Sequence, residues 1–323
     1  MTNVLLTGGA GYIGSHILGQ LLEKKFRVLV VDNLSTGSRK LVNKKAKFFK
    51  IDICDKKKLE KVFKHKISCI IHLAAALSVP EGQKNPRKYY FNNVFGTQNI
   101  LDLSVKYKVK KFILSSTCAV YGSAKGKVSE NSPLMPESNY GKTKLIAEEL
   151  TKSYAKKFSF KYAILRYFNV VGADPLLKTG PINKGSLFKN ITSCLSQKTS
   201  KIDLFGTNYK TTDGTAVRDY IDVNDLSNLH LESLNKLKKS DSFILNCGYG
   251  KPLSVKKIIT SFQKIANKKI KIQKKNRRPG DVEKVYSDVK YLKKIFPKWK
   301  SKYSLSDSIK LSLAWEKMIN EKN

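Results

Sequence analysis

The stretch NVLLTGGAGYIGSHILGQLLEKKFRVLVVD, residues 3–32, decides the fold. It opens on an apolar run, passes through Gly8, Gly9, Gly11 and Gly14, continues with the helical spacing of IGSHILGQLLEKK and closes on a second apolar run ending at Asp32. Strand, glycine-rich turn, helix and strand is the order of a βαβ unit. Gly9, Gly11 and Gly14 fit G-x-G-x-x-G, and Gly8 also allows G-x-x-G-x-x-G. Such glycines permit a tight turn and bring the backbone close to a pyrophosphate at the positive end of the following helix. Asp32 stands 18 residues after Gly14. A carboxylate there accepts hydrogen bonds from adenosine ribose hydroxyls and repels a 2′-phosphate, which predicts NAD rather than NADP. Asp52 and Ile53, closing a third apolar run, are expected to border the adenine.

The pattern repeats outward from this unit. Strand-like AKFFKID, CIIHLAA, KFILSS and YAILRYFN are separated by helical KKLEKVFKH, GTQNILDLSVKY and KTKLIAEELTKSYAKK. Strands that read as continuous apolar runs are buried on both faces, so the expected fold is α/β: a Rossmann-type doubly wound parallel sheet with helices on either side. After about Asn169 the alternation gives way to VVGADPLLKTGPINKG, rich in Gly and Pro. Residues 1–170 are therefore expected to form the NAD-binding domain and 171–323 a smaller α/β substrate domain, with some C-terminal segments returning to the first.

A chain of 323 residues exceeds the usual size of one hydrophobic core, which agrees with two subdomains. The N-terminal MTNVLLTGG is too short an apolar run for a signal peptide, and no segment reaches the 18 or so apolar residues of a membrane span. The expected location is cytoplasmic. Cys54, Cys69, Cys118, Cys194 and Cys247 are scattered, without a C-x-x-C pair, and read as reduced thiols with no metal to hold. The formal charge of +37 points at first to a polyanionic partner. Yet 55 of the 62 basic residues are lysines spread over nearly every segment, without aromatic interleaving or a nucleic-acid-binding motif. Such a surface predicts weak, salt-sensitive background binding and no specific nucleic-acid partner. The seven arginines are more informative, because a fork-shaped donor is needed where an ammonium cannot replace it.

SNYGKTKLIAEE, residues 138–149, puts Tyr140 four positions before Lys144 at the head of a helical pattern. Residues i and i+4 share one face, so phenol and ammonium are expected side by side. Upstream, Ser115, Ser116 and Thr117 of ILSSTCAVYG lie at the C-terminal end of a strand, where open α/β sheets bind their ligands. Bringing a phenol of pKa about 10 down three units requires about 4 kcal/mol of phenolate stabilisation, and one cation about 4 Å away supplies roughly that at an effective dielectric near 20. The expectation is a Tyr140 base, lowered by Lys144, acting on a sugar or alcohol hydroxyl.

With these motifs in place, the sequence resembles the extended short-chain dehydrogenase/reductase superfamily and, more closely, the UDP-glucose 4-epimerase family. The resemblance spans essentially the whole chain: TGGAGYIGSH, DNLSTG, HLAA, YYFNNVFGT, SSTCAVYG, NYGKTK, LRYFNVVGADP, TTDGTAVRDYIDV, RRPGD and AWEK. It implies an isomerase with a tightly held NAD, interconverting UDP-glucose and UDP-galactose through a 4-keto sugar. Tyr140 would take the C4 hydroxyl proton, Thr117 would hydrogen-bond the sugar hydroxyl and the tyrosine oxygen, and Lys144 would also hold the nicotinamide ribose. The implied cofactor pocket comprises Gly8, Gly11, Tyr12, Ile13 and Gly14, then Asp32, Asn33, Asp52 and Ile53. Leu73, Ala74, Ala75, Asn92, Ser115 and Tyr167 join them. The implied uridine diphosphate contacts are Asn169, Ser186, Leu187, Arg218, Arg278 and Asp281. His72 is read as a packing residue. A homodimer through paired helices is also implied.

The chain departs from the family pattern in several places. Leu77 stands where many members carry a lysine near the cofactor phosphates, and KGSLFKN replaces the usual segment before the uridine. Val285 replaces a bulky tyrosine, which leaves room for an N-acetyl group and extends the expected substrates to UDP-GlcNAc and UDP-GalNAc. Thr117 is followed by Cys118 and Ala119 rather than the Asp-Glu pair of nucleotide-sugar dehydratases, so elimination of water lacks its acid. Another UDP-sugar enzyme, such as a UDP-glucuronate 4-epimerase, and a catalytically silent NAD-binding regulator remain as alternatives.

Overall fold

The computed structural model describes residues 3–124, 126–196, 201–278 and 281–321. The first part of the chain runs β1 (Asn3–Thr7), α1 (Tyr12–Glu23), β2 (Arg27–Asp32), β3 (Lys47–Lys50), α2 (Lys56–Phe63) and β4 (Cys69–His72). It continues through α3 (Val79–Lys84), α4 (Pro86–Tyr89), α5 (Gly96–Lys106), β5 (Lys111–Thr117), β6 (Gly126–Val128), α6 (Asn139–Phe158) and β7 (Lys161–Tyr167). Then follow β8 (Asn169–Val171), α7 (Leu187–Ser196), β9 (Lys201–Phe205), β10 (Val217–Asp222), α8 (Val223–Lys236) and β11 (Phe243–Cys247). The last elements are β12 (Pro252–Ser254), α9 (Val255–Ala266), β13 (Lys271–Lys275), β14 (Lys284–Ser287), α10 (Lys290–Ile295) and α11 (Leu305–Glu321).

Seven strands form one sheet in the order β11-β7-β5-β4-β1-β2-β3. Every pairing from β3 through to β7 is parallel. The order reverses between β1 and β4, the switch point at which doubly wound sheets take their ligands. Each of the six strands expected from the sequence is present. The sheet is filled by side chains with no access to water, such as Leu5, Ile70, Leu114 and Ile164, over which Leu101 of α5 and Ala147 of α6 pack. His72 is a packing residue as expected: it meets the Thr7 hydroxyl at 2.7 Å and the Thr97 hydroxyl at 3.0 Å. Burial, with the Lys144 charge adding to it, pushes its imidazole down to about 3, so it stays neutral.

Two compact units emerge, one of Met1–Gly122, Leu134–Tyr167 and Ser227–Leu245, the other of Ser123–Pro133, Phe168–Leu226 and Asn246–Asn323. The second unit carries a smaller sheet, β12-β10-β14-β6, with β8 also paired to β10, and a separate parallel pair β9 and β13. Its core gathers Phe188, Ile191, Ile258, Phe262 and Ile309 from α7, α9 and α11. A buried Lys189–Glu316 ion pair at 2.5 Å, joined by hydroxyls of Thr192 and Ser193, ties α7 to α11. No helix among the described residues is long and apolar enough to cross a membrane.

Candidate functional site

The glycine turn after β1 is shaped by near contact. Gly8 has φ of +72°, and a Cβ there would lie 2.8 Å from the Ala74 nitrogen; one on Gly14 would lie 2.2 Å from the Gly8 oxygen. Side chains are thus excluded where the turn enters α1, and the backbone itself lines a cavity. Gly8, Gly11, Leu73, Ala74 and Ala75 form its floor, with Asp32, Asn33, Ile53 and Asn92 around them. The structure adds Ser35, Thr36, Ile51 and the exposed Leu77 to the wall.

Asp32 is aimed by two backbone donors, Ala10 N–H at 3.0 Å and Leu34 N–H at 2.8 Å. Burial raises its carboxyl above the ordinary range while these two bonds pull it back. Asp52 is set slightly off the cavity: it accepts from the Asn33 amide at 2.8 Å and from the Cys54 N–H at 2.8 Å, so it fixes the Asn33 loop. Asn93 is turned inward, bonded to both backbone groups of Ala76 and to the Thr143 hydroxyl, which leaves Asn92 on the cavity side. Tyr167 is buried in the first unit, its hydroxyl 2.5 Å from His230. Tyr12, Ile13, Gly14, Ser115, Tyr140 and Lys144 are not on the cavity wall. A backbone cradle closed to any Cβ, a carboxylate presented at the β2 end and apolar walls from Ile51 and Ile53 fit the phosphates, ribose and adenine of a dinucleotide.

The reactive residues lie in the same unit. Ser138 caps α6 by accepting from the Gly141 N–H at 3.0 Å, which makes Tyr140 the second helical residue and places Lys144 one turn on. Thr117 ends β5, and its Oγ1 accepts from Ala119 N–H at 3.2 Å. Its own proton is left for Tyr140, to which it is hydrogen-bonded, and this contact stabilises the phenolate. One expectation is corrected. Burial pushes the half-buried Tyr140 phenol up to about 12, with Cys118 adding to the rise and only Thr117 opposing it. Lys144 is itself pushed down to about 8 by burial, and the charge that holds it up is Glu148. The reason is desolvation: in a buried setting both ions lose water, and the ammonium faces a carboxylate one turn further along α6.

The second unit holds a larger cavity. All six residues expected to meet uridine diphosphate there, Asn169, Ser186, Leu187, Arg218, Arg278 and Asp281, line it. Arg218 lies 4.0 Å from the Asp281 carboxylate. Arg278 stacks on the Phe205 ring at 3.8 Å, while Arg277 stacks on Tyr209 at 4.0 Å and donates to Asn208. The two neighbouring arginines thereby divide: Arg277 closes the loop and Arg278 faces the cavity. Fork-shaped donors beside an aromatic wall suit a diphosphate and a flat base. Asn190 and the β9 residues Ile202, Asp203, Leu204 and Phe205 were missed as wall residues; the strand pattern of KIDLF was the signal available for β9. Among the described residues no cluster of His, Cys, Asp and Glu could hold a metal ion.

Residues 4–248 match the NAD dependent epimerase/dehydratase family. The chain is 38% identical over 336 residues to a probable UDP-arabinose 4-epimerase of Arabidopsis thaliana, covering 98% of this chain and 81% of that one. It superposes on UDP-glucose-4-epimerase of Stenotrophomonas maltophila, solved with bound NAD and formylated UDP-arabinopyranose, with a TM-score of 0.95, 30% identity and full coverage of both chains. The UDP-Glc/GlcNAc 4-epimerase of Campylobacter jejuni is 38% identical, with a TM-score of 0.85 over 98% of this chain and 100% of that one.

Proposed function

Since the chain belongs to the NAD-dependent epimerase/dehydratase family and is an NAD-using UDP-sugar 4-epimerase, we propose that it interconverts UDP-glucose and UDP-galactose. The observation that carries this reading is the Thr117–Tyr140 hydrogen bond at the C-terminal end of β5, with Lys144 one helical turn away. Tyr140 exchanges a proton with the C4 hydroxyl, and Thr117 orients both oxygens. Lys144, one turn along α6, holds the nicotinamide ribose. When bound, NAD supplies the acceptor and donor of the C4 hydride. The first cavity takes the dinucleotide, with Gly8, Gly11, Asp32, Asn33, Ile53, Leu73, Ala74, Ala75 and Asn92 of the expected set around it. The second takes uridine diphosphate, with Arg218 and Arg278 on the phosphates and Asp281 on the ribose.

Two extensions have support of their own. Val285 pairs in register with Arg218 on β10 and with Gly126 on β6, so its small side chain sits beside an assigned diphosphate residue, and UDP-GlcNAc and UDP-GalNAc are added substrates. The similarity to a probable UDP-arabinose 4-epimerase favours a UDP-pentose as a second substrate class. Incubation with UDP-galactose, UDP-GalNAc, UDP-glucuronate and UDP-arabinose without added NAD, followed by separation of the products, tests all of these. Conversion of UDP-galactose to UDP-glucose is expected; turnover of the other sugars alone overturns the hexose assignment, and no turnover of any leaves a silent NAD-binding protein.

The protein is further proposed to act as a homodimer in the cytoplasm, with no membrane or nucleic-acid partner. Phe91 and Phe95, i and i+4 on the wide helical turn Tyr90–Phe95, stack at 5.1 Å and stay 54% and 41% exposed. A second copy would cover them. Sedimentation showing only monomers at micromolar concentration would sink the dimer.

A further inference from the structure

Behind the reactive residues lies a buried polar network that the proposed reaction has not used. Tyr140, Lys144 and Glu148 follow one another at intervals of four on α6, and therefore share one helical face. Glu148 has no access to water and Arg166 of β7 almost none. Arg166 grips the carboxylate with two donors, Nε to Oε1 at 3.0 Å and Nη2 to Oε2 at 2.7 Å. Its third arm, Nη1, donates to the Tyr121 hydroxyl at 3.0 Å, and the guanidinium lies over that ring at 5.1 Å. Ser116, one residue before Thr117, donates a short hydrogen bond to Glu148. One ion pair thus clamps three pieces together: α6, which carries Tyr140 and Lys144; the end of β5, which carries Thr117; and the turn Cys118–Tyr121 that follows it.

We propose that the Glu148–Arg166 pair is a positioning pair for catalysis: it sets the Thr117–Tyr140 alignment and keeps Lys144 charged. The proposal rests on the reading of Tyr140 as the base. Planar bidentate pairing fixes orientation as well as distance, which a lone apolar contact would not. The groups that bear electrostatically on Lys144 are Glu148 on its own helix and His72 on β4. His72 stays neutral, and Arg166 is spent on Glu148. The carboxylate is therefore the anion that keeps the proton on Lys144.

The test is steady-state kinetics of the full chain over a range of pH. In Glu148→Gln, kcat is expected to fall about 10- to 100-fold with KM for the UDP-sugar nearly unchanged, the size of loss that small misplacements of reacting groups cause. The alkaline limb of kcat should also move to lower pH, because Lys144 loses its proton earlier without the neighbouring anion. A merely structural role would lower the amount of folded enzyme and leave that limb in place. Parent-like kcat and pH profile in folded Glu148→Gln overturn the proposal. Should that variant not fold, Glu148→Leu combined with Arg166→Met removes both charges and leaves no buried ion unpaired. Parent-like kcat in the double variant overturns the proposal; reduced kcat at unchanged KM supports it. Tyr140→Phe separates the two levels: full activity there sinks the base assignment and this inference together, whereas an inactive Tyr140→Phe beside a parent-like Glu148→Gln sinks only the positioning pair.

Discussion

Burial works against both members of the Tyr140–Lys144 pair. The phenol is pushed up to about 12 and the ammonium down to about 8, so the free protein holds the two in their neutral-leaning directions. A base must be ionised to act, which predicts activity that climbs with pH while the phenolate fraction rises. A lysine with lowered pKa loses its charge as pH rises through about 8, so the climb should end there. A pH profile of kcat should therefore rise from the acid side and turn over on the alkaline side of neutrality; a profile flat from pH 6 to 10 would contradict this assignment. The spacing of Tyr140 and Lys144 was legible in the sequence, since four residues on a helix define a face. The direction of the Tyr140 shift was not, because it depends on how much water α6 and β5 leave around the oxygen, and on Glu148 drawing the ammonium's field.

At the scale of elements, the sequence was most legible where one period dominated. The runs VLL, VLVV, CIIH and FILSS can only be buried on both faces, and each became a strand of the parallel sheet. β11 was harder to see: Phe243–Cys247 is short, follows a lysine-rich segment, and joins the large sheet only by returning from beyond Asn169. The wide turn Tyr90–Phe95 also escaped, because its sequence YFNNVF carries no breaker and its shape follows from Asn93 being drawn in toward Ala76 and Thr143. The buried Glu148–Arg166 pair could not be told from two solvated charges without knowing that β7 lies beneath α6. The start of α6 was legible, and a prediction belongs to it. Ser138→Ala removes the oxygen that accepts from Gly141 N–H, and should cost about 1 kcal/mol in a denaturant titration. Because Tyr140 is the second residue of that helix, kcat should fall as well; unchanged stability would show that the cap contributes nothing.

At the scale of the whole molecule, charge dominates. A formal +37 spread over lysines makes any two copies repel at low ionic strength. Added salt shortens the range of that repulsion to about 8 Å at physiological strength. The proposed self-association through Phe91 and Phe95 should consequently strengthen as salt is raised, whereas background binding to a polyanion should weaken. Sedimentation at several salt concentrations separates the two, and a dimer that dissociates on adding salt would point to a polar interface instead. The residues around the second cavity were readable from the resemblance, those around the first only in part, and a return of C-terminal segments to the first unit was expected without its bounds: Ser227–Leu245 rejoins that unit after the second has begun.

That path has a practical side. β7 takes β11 as its outer neighbour, so a gene truncated near residue 170 would strip the large sheet of its last strand. The bared row of amide and carbonyl groups along Lys161–Tyr167 would offer a template for intermolecular pairing. The nucleotide-binding half is thus no independently excisable module, and a coenzyme-binding fragment would have to carry the α8–β11 excursion with it.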